Sequence, residues 1–585
     1  MSSPELVEGE PLFEQVQAWL VQEPDPDNQA ALREMIHQGE RSSLESCFKG
    51  PLQFGTAGLR GLIGPGPHRM NEVTVGGAAA GLARQLLSDV PDAASRGVVV
   101  GRDARRKGPE MARAAAEILA GHGLKVYWFN EPVPTPVAAF ACRHLGCAAA
   151  TVVTASHNPP DYNGFKVFSE RASQIVSPQD ARIRSEADGA GPFVDLPRMG
   201  FEEALAAGLI QFVGPEIEEA YLTALDAQCL GPTEPPAQVR VVTTALHGVG
   251  HPWIELALRR RGHRDIHPVA SQMEPNGLFP TVRFPNPEEP GALDEALDTA
   301  RAEGATVIMA NDPDTDRLCV AVGEPGSPGG YRVLTGNELG ALLSDWILGQ
   351  LSAQGRLQTR SIAITSVVSS TMLRRIGATY GVRVVEVLTG FKWIWDKAME
   401  AEAEGETFVF GFEEALGYCV GPAVRDKDGI GAAQILMELA SALGARGETL
   451  LDQLQRLEQT HGVHHTRQVV AVIDGADGPE RLERVMGALR GEPPTDVAGL
   501  TVERIRDLSG PDAEAEGLPR SNVWTCWLMG GHRLVVRPSG TEPKLKAYIE
   551  ARAEVAPGVS LETAREAAHG LADDMETWVR QVVGG

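Results

Sequence analysis

The alternation of predicted strands and helices between residues 96 and 155 is the feature that most restricts the fold. Residues 97–103 (GVVVGRD) and 125–129 (KVYWF) are short and apolar, which is typical of buried strands. An alanine-rich helical pattern at 110–121 separates them, and residues 148–153 form a further strand pattern. This alternation predicts a largely parallel sheet with helices on its faces. Catalytic side chains are then expected at the carboxyl ends of the strands.

The segment after the last of these strands, residues 154–168 (TASHNPPDYNGFKVF), combines turn residues with chemically reactive ones. Its prolines, asparagines and glycine predict a rigid, exposed loop that carries Ser156. A hydroxyl acts as a nucleophile when a base, a cation or a metal assists it, and His157 and Lys166 are local candidates. The alternative is a surface turn in which Ser156 bonds only to its own backbone.

Residues 311–317 (NDPDTDR) lie between two predicted strands and concentrate negative charge. The carboxylates at i, i+2 and i+4 repel one another unless a cation lies among them, and hard divalent cations prefer oxygen ligands. An EF-hand would need Gly at its sixth position and Glu at its twelfth, where the chain has Arg317 and Gly323. The segment therefore predicts a Mg²⁺ loop, with a purely structural acidic turn as the alternative.

Four further turns combine glycine with charged or hydroxyl side chains. Residues 54–61 (FGTAGLRG) have glycines that allow close backbone approach, and Arg60 can present a planar fork to phosphate. Residues 537–544 (RPSGTEPK) combine cations, hydroxyls and backbone N–H groups into an anion cradle. Residues 411–417 (GFEEALG) place two carboxylates after a strand, and residues 389–392 (TGFK) follow another. Ordinary turns with solvated charges are the alternative for the first three of these segments.

Composition limits the partners and the compartment. The 585 residues carry a net charge of −25, which argues against a nucleic-acid partner. The seven cysteines are scattered and odd in number, as expected for reduced thiols rather than for a disulfide framework or a zinc site. The first twenty residues lack the basic and apolar regions of an export signal, and no apolar run approaches a membrane span. We therefore expect a cytoplasmic protein without a membrane partner.

Taken together, the motifs resemble those of the α-D-phosphohexomutase superfamily, the phosphoglucomutase/phosphomannomutase family. They stand in the family's order, and the resemblance runs from about residue 50 to the end of the chain. The GFEEA segment is closest to the phosphoglucomutase/phosphopentomutase branch. The resemblance implies three related α/β domains with mixed sheets plus a smaller C-terminal α+β domain around a central cleft. The implied parts are a helical N-terminal extension (1–50), domain I with the phosphoserine loop (51–213), domain II with the metal loop (214–330), domain III with the sugar loop (331–462) and domain IV with the phosphate loop (463–585).

The resemblance also implies roles for individual residues. Ser156 carries the transferred phosphoryl group, and Arg60 faces it. Lys166 is the expected proton shuttle, supported by His157. One Mg²⁺ per chain is expected on Ser156, Asp312, Asp314 and Asp316. The expected substrate-binding residues are Arg317, Thr389, Gly390, Lys392, Glu413, Ala415, Arg537, Ser539, Gly540, Thr541 and Lys544.

The implied function is a phosphosugar mutase that interconverts glucose 1-phosphate and glucose 6-phosphate, with glucose 1,6-bisphosphate as intermediate and activator. Ala415 stands where relatives acting on glucose or mannose phosphates often have serine, so pentose and mannose phosphates remain alternatives. A metal-dependent phosphatase and a non-catalytic sugar-phosphate sensor are the competing classes. The expected partner is a small sugar phosphate, and the expected assembly is a monomer or a weak homodimer.

Overall fold

The structure is a computed structural model that describes residues 9–53, 58–473, 478–538 and 544–584. The chain divides into two compact units. The first unit comprises Met1–Leu334 and Leu416–Ala442, and the second comprises Thr335–Ala415 and Leu443–Gly585. The segment Leu416–Ala442 thus leaves the second unit and returns to the first.

The helices and strands follow one another in the order expected for an α/β protein. The α-helices are α1 Pro11–Gln22, α2 Pro26–His37, α3 Arg41–Phe48, α4 Glu72–Asp89, α5 Ala93–Arg96, α6 Gly108–Gly121, α7 Thr135–His144, α8 Gln179–Asp188, α9 Phe201–Ala206, α10 Pro215–Gln228, α11 His251–Arg260, α12 Asp294–Glu303, α13 Gly336–Ala353, α14 Met372–Tyr380, α15 Phe391–Ala403, α16 Gly429–Gly444, α17 Leu450–His461, α18 Gly478–Gly491, α19 Pro511–Ala515 and α20 Leu561–Gly584. The strands are β1 Leu59–Leu62, β2 Val98–Arg102, β3 Val126–Trp128, β4 Ala149–Val153, β5 Tyr162–Phe168, β6 Ile210–Phe212, β7 Val241–Thr244, β8 Ile266–Pro268, β9 Val307–Ala310, β10 Cys319–Gly323, β11 Tyr331–Val333, β12 Ser361–Ser366, β13 Arg383–Val387, β14 Thr407–Glu413, β15 Gly417–Cys419, β16 Val463–Val472, β17 Asp496–Val497, β18 Leu500–Asp507, β19 Trp524–Leu528, β20 His532–Pro538 and β21 Lys544–Ala553.

The N-terminal helices α1–α3 share a hydrophobic core with the first sheet, to which they contribute Val16, Leu44 and Phe48. The ring of Trp19 meets that of Phe48 edge-on, with centroids 6.1 Å apart. Lys107, which precedes α6, forms an ion pair with Asp25 at 2.8 Å. The helices are therefore part of the packing of the first unit.

The first sheet has the strand order β1-β5-β4-β2-β3-β6. Strands β4, β2, β3 and β6 are parallel, whereas β5 and β1 are antiparallel to their neighbours. Every residue of β4 is buried, because helices cover both faces of a parallel sheet. The loop that carries Ser156 connects β4 to β5, at the carboxyl end of β4.

The second sheet of the first unit has the order β11-β10-β9-β7-β8. Its strands β9, β7 and β8 are parallel, and β10 returns antiparallel to β9. The acidic residues of 311–317 form the connection from β9 to β10. Both predicted reactive loops of the first unit therefore begin at the carboxyl end of a parallel strand.

The second unit contains three parallel strands and one antiparallel sheet. Strand β12 pairs in parallel with β13 and with β14. The C-terminal sheet is antiparallel in the order β16-β21-β20-β19-β18-β17, and α20 contributes Met575 and Val579 to its core. The predicted fold class, α/β domains followed by an α+β domain, is confirmed. The central cleft and the predicted domain boundaries stay predictions.

Candidate active site

Ser156 adopts a strained backbone conformation just after β4. Its φ is +53°, in the left-handed region that non-glycine residues rarely adopt. Two neighbours hold it there: the Ser156 N–H donates to Thr154 Oγ1 at 2.8 Å, and the Thr154 hydroxyl donates to Asp103 Oδ2 at 2.5 Å. Because both hydrogen bonds are buried, the loop holds Ser156 in one orientation.

Arg105 holds the same loop from the side of the sheet, and the sequence motifs did not indicate it. Its guanidinium is buried and forms an ion pair with Asp103 at 3.2 Å. It donates to the backbone carbonyl oxygens of Ser156 (2.6 Å), Asn158 (2.6 Å), Pro159 (2.8 Å) and Tyr162 (3.1 Å). Such a fan of bonds from one planar fork fixes the path of the loop. The available signal was the basic run after β2, which has no distinctive spacing.

The expectation that Ser156 lies exposed is wrong, because only 3% of its surface is accessible. The acidic loop covers it: Ser156 Oγ donates to Asp312 Oδ2 at 2.6 Å. His157 Nδ1 lies 3.1 Å from Ser156 Oγ. A contact between residues this far apart in sequence is invisible to local patterns.

The acidic loop brings Asp312, Asp314 and Asp316 together. One ligand atom from each lies within 4.8 Å of the others, and all are buried. Across the part of the chain that the structure describes, this is the one group of this kind. Asn311 Nδ2 closes the loop by donating to the Arg317 carbonyl oxygen at 2.6 Å. The predicted metal ligands are therefore adjacent in the structure.

Two lysines oppose this negative charge. Lys166 Nζ lies 2.6 Å from Asp314 Oδ2 and 2.8 Å from Asp316 Oδ2, and Lys427 Nζ lies 3.1 Å from Asp316 Oδ2. Burial works against the charged form of Lys166, but Asp314 and Asp316 prevail and raise its pKa. Lys427 precedes α16, and the sequence motifs did not indicate it. The local sequence around Lys427, DKDG at 426–429, does not indicate that it lies beside a loop more than a hundred residues earlier.

The cluster fits a divalent cation. Asp314 Oδ1 and Asp316 Oδ1 are buried, and neither has a hydrogen-bond partner among the described residues. Burial, followed by Asp314 and Asp316, raises the pKa of Asp312 well above its usual range, as expected where carboxylates outnumber cations. Buried carboxylate oxygens without partners are costly, and a hard cation would satisfy them.

Cationic and neutral groups surround the Ser156 hydroxyl. Arg60 Nη1 donates to Asn158 Oδ1 at 3.0 Å. Burial and the neighbouring Arg317 lower the pKa of Arg60 to about 10, so Arg60 stays charged at neutral pH. Burial, then Arg317 and Arg60, lower the pKa of His157 well below its usual range, so its ring is neutral. Arg317 lies 3.6 Å from Glu288.

In the second unit, the predicted sugar-binding residues meet at the carboxyl ends of β13 and β14. Gly390 N–H donates to Glu413 Oε1 at 2.5 Å, and Glu413 is buried. Thr389 Oγ1 is buried without a hydrogen-bond partner among the described residues. Lys392 is buried in the first turn of α15, and Ala415 follows two residues after β14. Thr389, Gly390 and Glu413 thus lie at one edge of the parallel sheet.

The predicted phosphate loop is described only at its two ends. Arg537 lies at the end of β20 and pairs in register with Lys546 of β21, which begins at Lys544. Ser539, Gly540 and Thr541 lie outside the described residues, as does the segment 54–57 before Arg60. The antiparallel pair β20–β21 therefore places Arg537 and Lys544 at the same end of the hairpin.

A strained serine that faces a buried carboxylate cluster at the carboxyl ends of parallel strands is an arrangement suited to phosphoryl transfer. Comparison with known proteins makes the class definite. The phosphoglucomutase/phosphomannomutase family matches over its alpha/beta/alpha domains I, II and III and its C-terminal domain, at residues 51–191, 219–326, 335–459 and 470–557. The chain belongs to this family. The predicted enzyme class, an intramolecular phosphotransferase among the isomerases, is confirmed.

Relatives with different sugars in their names resemble the chain to similar degrees. A "Probable phosphomannomutase" of Haemophilus influenzae is 40% identical over 490 residues, 83% of this chain and 93% of that protein. A phosphopentomutase of Mus musculus is 34% identical over 567 residues, 92% of this chain and 90% of that one. A phosphoglucomutase of Staphylococcus epidermidis is 34% identical over 508 residues, 85% and 90% of the two chains.

A solved structure agrees with the fold. The phosphoglucomutase/phosphomannomutase family protein of Burkholderia thailandensis has a TM-score of 0.66 and 20% identity, and the match covers 91% of this chain and 98% of that one. Among the described residues, none of the helices combines the length and the apolar character needed to cross a membrane.

Proposed function

We propose that the protein interconverts glucose 1-phosphate and glucose 6-phosphate through a phosphoserine at Ser156. The observation that carries the proposal is the 2.6 Å contact between Ser156 Oγ and Asp312 in a buried acidic cluster. Relatives named for glucose, mannose and pentose phosphates support the reaction class, and the glucose phosphate is our choice among them.

The reaction would consist of two phosphoryl transfers. In the first, the free hydroxyl of the sugar monophosphate attacks the phosphorus on Ser156, so that the bond from phosphorus to Ser156 Oγ breaks and a sugar bisphosphate forms. In the second, Ser156 Oγ attacks the other phosphate of the bisphosphate, and the isomeric monophosphate leaves. Each transfer moves one proton from the attacking hydroxyl and delivers one to the departing oxygen.

Residues of the first unit would serve these transfers directly. Asp314 and Asp316 hold Lys166 protonated, so Lys166 can give a proton to the departing oxygen. His157, whose Nδ1 lies 3.1 Å from Ser156 Oγ, would support Lys166 in moving these protons. Arg60 and Arg317 would hold the transferred group in line. Asp312, Asp314 and Asp316 would bind Mg²⁺, which offsets charge on the transferred phosphoryl group.

Residues of the second unit would recognise the sugar and its other phosphate. Glu413 would accept hydrogen bonds from sugar hydroxyls, beside Thr389, Gly390, Lys392 and Ala415. The phosphate loop would hold the phosphate that does not react, through Arg537, Ser539, Gly540, Thr541 and Lys544. A dedicated holder for a second phosphate favours a mutase over a phosphatase, which has no second phosphate to retain.

A substrate panel tests the proposal. The full-length protein is incubated with Mg²⁺, a trace of glucose 1,6-bisphosphate and the 1-phosphates of glucose, mannose, ribose or deoxyribose, and ³¹P NMR follows each product and free phosphate. We expect the highest kcat/KM with glucose 1-phosphate and little release of phosphate. A higher value for a pentose or mannose phosphate would overturn the choice of sugar alone. Steady phosphate release, or no interconversion, would overturn the mutase.

The same reactions test two further expectations. Omitting the bisphosphate should produce a lag, because enzyme lacking phosphate on Ser156 needs a phosphoryl donor before it can turn over. Light scattering at the assay concentration should report a monomer or a weak homodimer, and fractionation should place the protein in the cytoplasm.

A further inference from the structure

Thr135, the first residue of α7, contacts the acidic loop through its side chain and its backbone. Its hydroxyl donates to Asp314 Oδ2 at 2.6 Å, and its N–H donates to the Asp314 carbonyl oxygen at 3.0 Å. The side chain is fully buried. Thr135 lies in none of the sequence motifs described above, and it belongs to the first sheet's layer of helices rather than to the sheet that carries the loop.

The hydrogen bonds to Asp314 fall on one of its two carboxylate oxygens. Lys166 Nζ donates to the same Oδ2 at 2.6 Å, whereas Oδ1 is buried and has no partner among the described residues. Rotation of a carboxylate about its last side-chain bond meets only a broad, shallow preference, so its orientation depends on its partners. Two donors on Oδ2 therefore fix where Oδ1 points.

We propose that Thr135 is a positioning residue for metal binding: its hydroxyl holds Asp314 Oδ2 so that Oδ1 is presented to a divalent cation. This role rests on the metal site proposed above. Hydrogen bonds that orient metal ligands typically change metal affinity by about 10- to 100-fold when they are removed. The affinity of the acidic loop for a metal would then depend on the position of α7, which carries Thr135.

A purely structural role for Thr135 can be separated from this one. The bond from the Thr135 N–H to the loop backbone would anchor α7 regardless of the side chain. Thr135→Val keeps that bond and nearly the same shape but removes the hydroxyl, whereas Thr135→Ser keeps the hydroxyl. Thr151 supplies a matched control, since it is another buried threonine, and its hydroxyl lies 3.5 Å from the carbonyl oxygen of Val99.

The test titrates the full-length protein with Mn²⁺ and follows the free ion by EPR, without substrate. We expect the Kd for Mn²⁺ to rise about 10-fold in Thr135→Val and to stay within about threefold of wild type in Thr135→Ser. Thr151→Val should bind as wild type does. Thr135→Ala should weaken binding as Thr135→Val does, so that misfolding of one variant still leaves a test.

Three results would contradict the inference. If both Thr135→Val and Thr135→Ala bind Mn²⁺ with wild-type affinity, the hydroxyl has no role in metal binding, although the metal site itself stands. Equal losses in Thr135→Ser and Thr135→Val would assign the effect to packing and not to the hydrogen bond. A wild-type protein that binds no Mn²⁺ would remove the metal site itself, and with it any role for Thr135 towards the metal.

Discussion

The protein buries a cluster of charged side chains in each of its two units, and the clusters differ in their balance of charge. The acidic cluster of the first unit comprises Asp312, Asp314, Asp316, Lys166 and Lys427. The arginine network of the second unit comprises Glu386, Glu550, Arg506, Arg533 and His464. Three carboxylates face two lysines in the first cluster, whereas two glutamates face two arginines in the second.

The carboxylate oxygens show what this difference means. In the arginine network, Glu386 Oε1 and Glu550 Oε2 lie 3.1 and 3.2 Å from Arg533, and Glu386 Oε2 lies 3.5 Å from Arg506. Glu550 Oε1 accepts from the Ser370 hydroxyl at 2.7 Å. Glu386 Oε2 and Glu550 Oε2 have no hydrogen-bond partner among the described residues, but each lies within ion-pair distance of an arginine. In the acidic cluster, Asp314 Oδ1 and Asp316 Oδ1 also lack a hydrogen-bond partner among the described residues, and the lysines pair with the Oδ2 atoms instead.

Burial of charge alone therefore does not mark the functional site. A matched network is weak evidence for function, because buried ion pairs mostly hold neighbouring elements in register. An acid-rich cluster with buried carboxylate oxygens that lack hydrogen-bond partners fits an added divalent cation. Our proposal gives the acidic cluster a role in the chemistry and the arginine network a structural role, and the following changes would test this difference.

The largest effect is expected from removing the hydroxyl that faces the acidic cluster. Ser156→Ala should lower kcat by at least about 1,000-fold, because no group then accepts the phosphoryl, while the fold is kept. Steady-state kinetics and circular dichroism measure both. Ser370→Ala is the matched control, as its hydroxyl also donates to a buried carboxylate, and it should cost about 1 kcal/mol of stability and leave kcat near wild type. A Ser156→Ala variant with a near-normal rate would show that another residue carries the phosphate.

The next effect concerns the arginine network. Glu550→Gln should lower the free energy of unfolding by about 3 kcal/mol, because it leaves Arg533 buried and short of a counter-charge. Urea unfolding measures this change. The rate constant of the folded enzyme at saturating substrate and metal should change far less. A loss of kcat as large as that of Ser156→Ala would place this network in the chemistry and end the comparison.

The effect of Glu550→Gln on the free energy of unfolding should depend on pH. Although burial opposes ionisation, Arg533 and His464 lower the pKa of Glu550 below its usual 4.5. A carboxyl whose pKa is lowered on folding adds stability that is fully present above its usual pKa of 4.5. This stability is lost as the pH falls towards the pKa of the group in the folded protein. The difference between wild type and Glu550→Gln should thus be constant near neutral pH and shrink below about pH 4.5.

Metal removal tests the unpartnered oxygens directly. A chelator should lower kcat by at least about 100-fold, and added Mg²⁺ should restore it, because the charge of the transferred phosphoryl group is then offset again. Activity assays at increasing free Mg²⁺ measure this. Activity that survives exhaustive chelation would leave the acidic cluster without its expected ligand.

The smallest expected effect is a gain in stability, opposite in sign to the loss expected for Glu550→Gln. Without metal, Asp312→Asn should raise stability by about 1 kcal/mol near neutral pH, because burial and its neighbours raise the pKa of Asp312 and penalise its charge. Since a raised pKa costs stability only above the usual value of 3.8, the gain should vanish at lower pH. Thermal unfolding in chelator measures it. Mg²⁺ should stabilise wild type more than this variant.

The sequence predicted the parts of the site that are local. The alternation of apolar strands with turns placed Ser156 after β4 and the acidic residues after β9, since strand ends are legible from neighbouring residues. The spacing of Asp312, Asp314 and Asp316 was enough to bring them together, because one tight turn holds all three.

Contacts between distant segments were not predictable in the same way. The burial of Ser156 results from its contact with Asp312, which no local pattern encodes. Arg105, Thr135 and Lys427 each reach a reactive loop from elsewhere in the sequence, and none lies in a motif with distinctive spacing. Likewise, only the packing of the chain shows that Leu416–Ala442 belongs with the first unit.

The most direct test of the central claim is to ask where phosphate resides in the working enzyme. The protein is incubated with glucose 1,6-bisphosphate and Mg²⁺, freed of small molecules, and digested for peptide mass spectrometry. We predict close to one phosphoryl group per chain on Ser156, discharged when glucose 1-phosphate is added. Phosphate on another residue, or none on Ser156 while turnover proceeds, would contradict the account.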